Sequence, residues 1–142
     1  MYPHGGSGNH GCEAIVRSTA KLLGNNLMLF SNHVEEDRKV GLQDLCKLDV
    51  AEKPIRSGSL SHLFAVFRSK VLRQTDAFDR LVFQHIIESA KNADYVLGIG
   101  GDNYCYDTPE FIYLVNRMMD EAKKKRILWG ASVEPDAIDE RM

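Results

Sequence analysis

Near the start of this 142-residue chain, the run His4-Gly5-Gly6-Ser7-Gly8-Asn9-His10-Gly11-Cys12-Glu13 sets imidazoles, an amide, a thiol and a carboxylate among four glycines. Glycines packed this closely mark backbone that turns left-handed or must approach another group closely. A helical pattern follows at once, so the loop's N–H groups would face an anion or polar ligand at a helix N-terminus. Gly6, Gly8 and Gly11 satisfy the G-x-G-x-x-G spacing. A dinucleotide fingerprint, however, follows a buried strand, and only Met1-Tyr2-Pro3 and His4-Gly5 precede this one. His10 has two readings of equal weight: donation to a ligand with proton exchange near neutrality, or a bond to local backbone. Glu13 is favoured in a first helical turn by the dipole alone. Cys12, at a helix N-terminus where a thiol pKa could be lowered, reads as a small packing residue.

Three more polar clusters fall where strands should end: Ser31-Asn32-His33, Gly100-Gly101-Asp102-Asn103-Tyr104, and Ala131-Ser132-Val133-Glu134-Pro135. In an open parallel sheet, ligands bind beyond the carboxyl ends of the strands, so a parallel arrangement would gather all four clusters at one crevice. Asp102, Asn103 and Tyr104 offer an acceptor, an amide and a phenol, a set suited to a hydroxyl-rich sugar. The first two are also ordinary turn and capping residues. Ser132 serves a ligand or a backbone group equally well. His33 and His62 read as surface residues, and His85, on an apolar stripe, as a core histidine. No nucleophile, base and acid combine into a triad, so the catalytic residues are unassigned. Metal-ligand spacing is also missing.

The elements that must position these residues are legible to differing degrees. Glu13 to Leu23 reads as a helix, closed by Gly24-Asn25-Asn26. Leu27 to Phe30 is a short, continuously apolar strand of the kind covered on both faces. Glu35 to Lys47 holds at most a short helix, and Val50 to Arg56, with Pro54, is an edge strand or loop. Leu60, Leu63, Phe64, Phe67, Val71 and Leu72 recur at helical spacing, as do Phe78, Leu81, Val82, His85, Ile86 and Ala90. Both stripes read as packing faces, with Arg68, Lys70 and Arg73 turned outward. Tyr95 to Ile99 is a buried strand. Thr108-Pro109-Glu110 opens a helix with a capping hydroxyl, a proline at the first position and an acid in the first turn. Phe111, Leu114, Val115, Met118, Met119 and Ala122 form that helix's apolar face, and Arg126 to Ser132 is the last strand. The order predicts an α/β fold, a doubly wound parallel sheet in one domain over residues 1–142.

Composition narrows the function classes. A net charge of −2 gives no electrostatic case for a nucleic-acid partner. No apolar run approaches the roughly 20 residues of a membrane span. Cys12, Cys46 and Cys105 share no disulfide or zinc spacing. These features place the chain in the cytoplasm, with the inner face of the membrane as a second expectation. The missing opening strand and the helix start at 135–142 read as cut ends of a longer protein.

Three segments carry a family resemblance. Gly8-Asn9-His10-Gly11-Cys12-Glu13-Ala14-Ile15 resembles the G-N-x-G-D-E-A-I motif of polysaccharide pyruvyl transferases. Ala93-Asp94-Tyr95-Val96-Leu97-Gly98-Ile99-Gly100-Gly101-Asp102 is similar to that family's A-D-hydrophobic-G-G strand and loop. Trp129-Gly130-Ala131-Ser132-Val133-Glu134-Pro135 is similar to its G-x-S-hydrophobic-G-P strand. Cys12 stands where the family has Asp, and Glu134 where it has glycine. The resemblance implies a Rossmann-like sheet forming the N-terminal half of a GT-B-like two-domain enzyme. It implies transfer of pyruvyl from phosphoenolpyruvate, as donor substrate and without a further cofactor, onto a sugar of a cell-surface or extracellular polysaccharide as a ketal. The donor site and catalytic histidine would lie in a C-terminal domain absent from this chain. Gly8, Asn9, His10, Gly11, Gly101, Asp102, Asn103, Tyr104 and Ser132 would bind the sugar acceptor. Two other readings stay open: a nucleotide- or nucleotide-sugar-binding domain of a glycosyltransferase, and a non-catalytic sugar-binding remnant.

Overall fold

Asn9 opens the first helix, α1 (His10–Leu23), by accepting the Gly11 N–H at 2.9 Å on its side-chain oxygen. Such a cap is worth about 1 kcal/mol. In the computed structural model, residues 1–24, 26–101, 103–105 and 110–135 are described. Asn25, the Thr108-Pro109 helix start and the helix anticipated from residue 136 onward lie outside them. The remaining elements follow in order: β1 (Met28–Ser31), α2 (Val34–Lys39), a 3-10 turn (Leu42–Asp44), β2 (Lys47–Val50), α3 (Leu60–Val71), α4 (Ala77–Ala90), β3 (Val96–Ile99), α5 (Glu110–Glu121) and β4 (Arg126–Trp129). α1 starts three residues earlier than the apolar pattern indicates, because Asn9, rather than the first hydrophobic residue, sets its boundary. The edge strand falls on Lys47–Val50, before Pro54 instead of across it.

The protein is mixed α/β with small parallel sheets. β1 pairs with β2 from Met28↔Lys47 to Ser31↔Val50, and β3 pairs with β4 from Val96↔Arg126 to Ile99↔Trp129. Residues 1–4 bridge the two pairs. Tyr2 donates its N–H to Leu97 O and accepts from Ile99 N, at 3.0 and 2.8 Å. His4 donates to Phe30 O and accepts from Asn32 N, at 3.2 and 2.9 Å. Both bridges are parallel, so all the strands run the same way.

Alternation along the strands divides the core in two. Phe30 and Val96 join Tyr2, Phe83, Ile86, Val115 and Met119 on the face covered by α4 and α5. Leu29, Leu97 and Ile99 join Val16, Leu42 and Cys46 on the face covered by α1. α5 is the most regular contributor: Ile112, Val115 and Met119 are almost wholly buried, each stabilising the fold by about 1.5–3 kcal/mol.

One expectation is overturned. The stripe on α3 does not pack inward. Leu60, Leu63, Phe64, Phe67 and Val71 are exposed, while Ala65 is the helix's buried residue. Small residues let α3 approach α4, its neighbour in the fold, and the bulky apolar side chains are left on the far side. Arg68, anticipated as outward, is half-buried, donating to Gln74 Oε1 at 2.7 Å and lying 5.7 Å from the Phe64 ring centroid.

Candidate functional site

Parallel pairing throughout sets the four polar clusters at one edge of the sheet. The glycine loop follows residues 1–4, Asn32-His33 follows β1, Gly100 to Tyr104 follows β3, and Gly130 to Pro135 follows β4. Two contacts knit the last two clusters together. The Ser132 N–H donates to Gly101 O at 2.5 Å, and Tyr104 pairs in parallel with Val133. α1 closes on the same edge: Trp129 Nε1 donates to Thr19 Oγ1 at 2.8 Å, and the Ile15 side chain lies against Gly130.

The glycine loop is held from below by two carboxylates of α2. Asp37, fully buried, accepts from His4 Nε2 (3.0 Å), the Ser7 N–H (3.0 Å) and Ser7 Oγ (2.6 Å), all on Oδ1. Its Oδ2 has no hydrogen bond of good geometry. Burial pushes the Asp37 pKa up, but the hydroxyls of Ser31 and Ser7 and the His4 ring outweigh it and hold the carboxyl below its ordinary value. Glu36 Oε2 accepts the Gly8 N–H at 3.1 Å. Glycine is needed for this seating at Gly6, and at Gly8 a side chain would press on the Glu36 carboxylate. A Cβ at Gly6, whose φ is +103°, would stand 2.7 Å from His33 Cβ, and one at Gly8 would stand 3.0 Å from Glu36 Oε2.

The site residues anticipated from the sequence fall into three groups. Gly8, Asn9, His10, Gly11 and Ser132 are exposed at the edge. His10 Nδ1 lies 3.5 Å from Glu13 Oε2, and Arg17 Nε donates to Glu13 Oε1 at 2.7 Å. Arg17 first, then His10, hold the Glu13 carboxyl below its usual range. Gly101 and Asn103 are half-buried, with Asn103 Nδ2 donating to Ile99 O at 3.0 Å. Tyr104 is wholly buried, its hydroxyl near Gly98 and lining a cavity of about 220 Å³ with Tyr2, Asn116 and Arg126. Burial raises its phenol pKa, opposed by the neighbouring Asn116. Asp102 lies outside the described residues. Among the histidines, His33 is exposed as anticipated. His85 bridges α4 to the edge strand through Nε2 and Val50 O at 2.8 Å, with its ring edge-on to Phe30.

Glu36 and Asp37, which hold the loop together with His4 and Ser7, lie outside the motifs that the sequence displays. A signal for Asp37 is present in the sequence: it follows Val34 by three positions, so the two share a helix face, and Val34 is buried. Nothing in the spacing ties it to His4, 33 residues away.

A larger concavity, about 760 Å³, lies between α4 and α5 and contains none of the anticipated site residues. Two of the acids that line it, Asp76 and Asp120, are engaged in ion pairs. Asp76 meets Arg80 and Arg117 at 2.9 and 2.6 Å, and Asp120 meets Arg126 at 2.9 Å. Among the described residues no group of three His, Cys, Asp or Glu is placed to hold a metal ion, and no helix is long and apolar enough to cross a membrane. Comparison of the chain with protein-family models, curated proteins and solved structures finds no match.

Proposed function

We propose that this edge is the acceptor wall of a polysaccharide pyruvyl transferase, built on a Rossmann-like, doubly wound sheet that forms the N-terminal half of a GT-B-like enzyme. The spatial order β2-β1-(1–4)-β3-β4, with helices on both faces, supports the sheet assignment. Gly8, Asn9, His10, Gly11, Gly101, Asp102, Asn103 and Ser132 line the sugar side. Tyr104 supports β3 from beneath rather than touching the sugar.

The observation that carries this reading is the occupation of the loop's own donors. The N–H groups of Ser7 and Gly8, which would otherwise meet a phosphate, donate to Asp37 and Glu36. A phosphate brought to this loop meets the half-exposed Glu36 carboxylate, whereas a neutral hydroxyl-rich ligand finds amide, imidazole and hydroxyl partners. In the reaction, two sugar hydroxyls add to the central carbon of phosphoenolpyruvate, its methylene takes up a proton to become methyl, and phosphate leaves. The donor site and the catalytic groups belong to the domain outside this chain. The acceptor would be a polysaccharide precursor met on the cytoplasmic side.

Backbone amide NMR tests the assignment. Titration with neutral oligosaccharides is expected to shift Gly8, Asn9, Gly11, Gly101, Asn103 and Ser132 together, and Asn9→Ala with His10→Ala to abolish the shifts. Shifts of the same amides by UDP or NAD alone, with none from oligosaccharides, would replace this reading with a nucleotide-binding domain.

A further inference from the structure

α3 carries its bulky apolar residues on the wrong side for a packing helix. Leu60 (85 % exposed), Phe64 (58 %), Phe67 (50 %) and Val71 (61 %), with Leu63, follow one another along a single stripe at helical spacing. The opposite face, which meets α4, holds Ala65, Ser69 and His62, buried or half-buried. At 3.6 residues per turn, Arg68 and Lys70 fall on opposite flanks of the apolar stripe. The surrounding segment is one-sided in charge: Lys53, Arg56, Arg68, Lys70 and Arg73 are basic, and no acid occurs between Glu52 and Asp76. The chain as a whole is net acidic, so this positive charge is concentrated at α3 and is not a general property of the surface.

We propose that α3 is an interfacial helix that docks the protein on an anionic lipid surface. Phe64, Phe67, Leu60, Leu63 and Val71 would enter the boundary between headgroups and acyl chains. Arg68 and Lys70, one on each flank, would carry their charged ends up to the phosphates while their stems lie along the apolar stripe. Arg56 and Arg73 extend the basic rim beyond the two ends of the helix. Charge decides between the occupants. A second copy of this chain would set like charges against each other across a shared α3 face, and protein interfaces are depleted in lysine. An acidic bilayer attracts both the stripe and its flanks. The assignment is independent of what the glycine loop binds: the loop lies at the carboxyl edge of the sheet, and α3 packs on α4.

Vesicle flotation of the chain tests it. Binding to phosphatidylcholine vesicles containing one-third phosphatidylglycerol is expected to exceed binding to phosphatidylcholine alone by about tenfold and to fall as salt is raised. The double substitutions Phe64→Ser with Phe67→Ser, and Lys70→Glu with Arg73→Glu, each lower binding to the acidic vesicles by about tenfold. All four positions are exposed, so far-ultraviolet circular dichroism should show the fold unchanged. No binding to the acidic vesicles, or binding that neither double variant alters, would overturn the proposal. So would a concentration-dependent dimer in sedimentation velocity that the Phe64 and Phe67 substitutions dissociate, since that result gives the face to a second copy.

Discussion

Asp37 shows how one side chain governs the candidate site. Its Oδ1 gathers the imidazole, hydroxyl and N–H of residues 4–7, so its loss frees the glycine loop without touching any residue that would meet a ligand. Asp37→Asn keeps the shape but removes the charge and turns one oxygen into a donor. Hydrogen bonds to a buried charge are worth roughly 1.5–3 kcal/mol, and urea unfolding at neutral pH is expected to show a loss of about that size. The pH dependence has a definite sign. The folded pKa lies below the unfolded one, about 3.9, so the stabilisation is complete above that value and disappears as pH falls through the folded value. The gap between wild type and Asp37→Asn should therefore narrow on acidification below about pH 4. A gap that stays constant would mean that Asp37 is not charged when folded. The glycine loop itself was plain in the sequence, but its support was not. Gly6 and Gly8 draw attention as potential ligand contacts, yet the atoms they must avoid belong to His33 and Glu36. The need for glycine at position 6 arises within the fold, and nothing local in the sequence separates those two causes.

At the scale of elements, α4 and α5 are joined by a charged latch at one end of their contact. Arg80 donates both terminal nitrogens to Glu121, at 2.6 and 2.7 Å, and its Nε to Asp76, which also receives Arg117. A forked guanidinium gains from geometry as well as charge, but partial exposure screens it, so Arg80→Ala is expected to cost about 1 kcal/mol in urea unfolding. Arg80→Lys, with a single ammonium, should recover only part of that loss. Full recovery by lysine would show that charge alone matters. Helices and strands were readable where one cause dominated. α5 keeps its apolar face over three turns and packs as its pattern says. α3 has as clear a stripe, and the stripe points away from the core. Periodicity reports that a helix has an apolar face. It does not report which neighbour covers it, and for α3 the small residues opposite, Ala65 and Ser69, were the better guide to the packing side. The edge strand β2 lies a few residues before the Val50 to Arg56 segment that the sequence offers for it, because four residues, Lys47–Val50, alternate too briefly to stand out from a charged loop.

The whole molecule hangs on residues 1–4. They carry the main-chain bonds between the β1–β2 pair and the β3–β4 pair, and Tyr2 adds a side-chain bond of 2.5 Å from its hydroxyl to Asn116 in α5. Tyr2 and His4 are both almost fully buried. Opening this bridge means parting both halves of the core, so the amides of Tyr2, His4, Asn32 and Ile99 should exchange with solvent only through global unfolding. Native-state hydrogen exchange checks this: a lower opening free energy for these four than for Val115 or Met119 in α5 would show that the halves separate first. The same bridge has a consequence for the growing chain. Residues 1–4 need residues 96–99 as partners, which a ribosome adding roughly 5–20 residues per second makes some 5–20 seconds later. Until then Tyr2 has no strand on its β3 side, and Phe30 lacks the α5 side chains that help to cover it. Completion of the fold on the ribosome must therefore wait for the second half, leaving a nascent chain whose Phe30 is open to holdase chaperones for that interval.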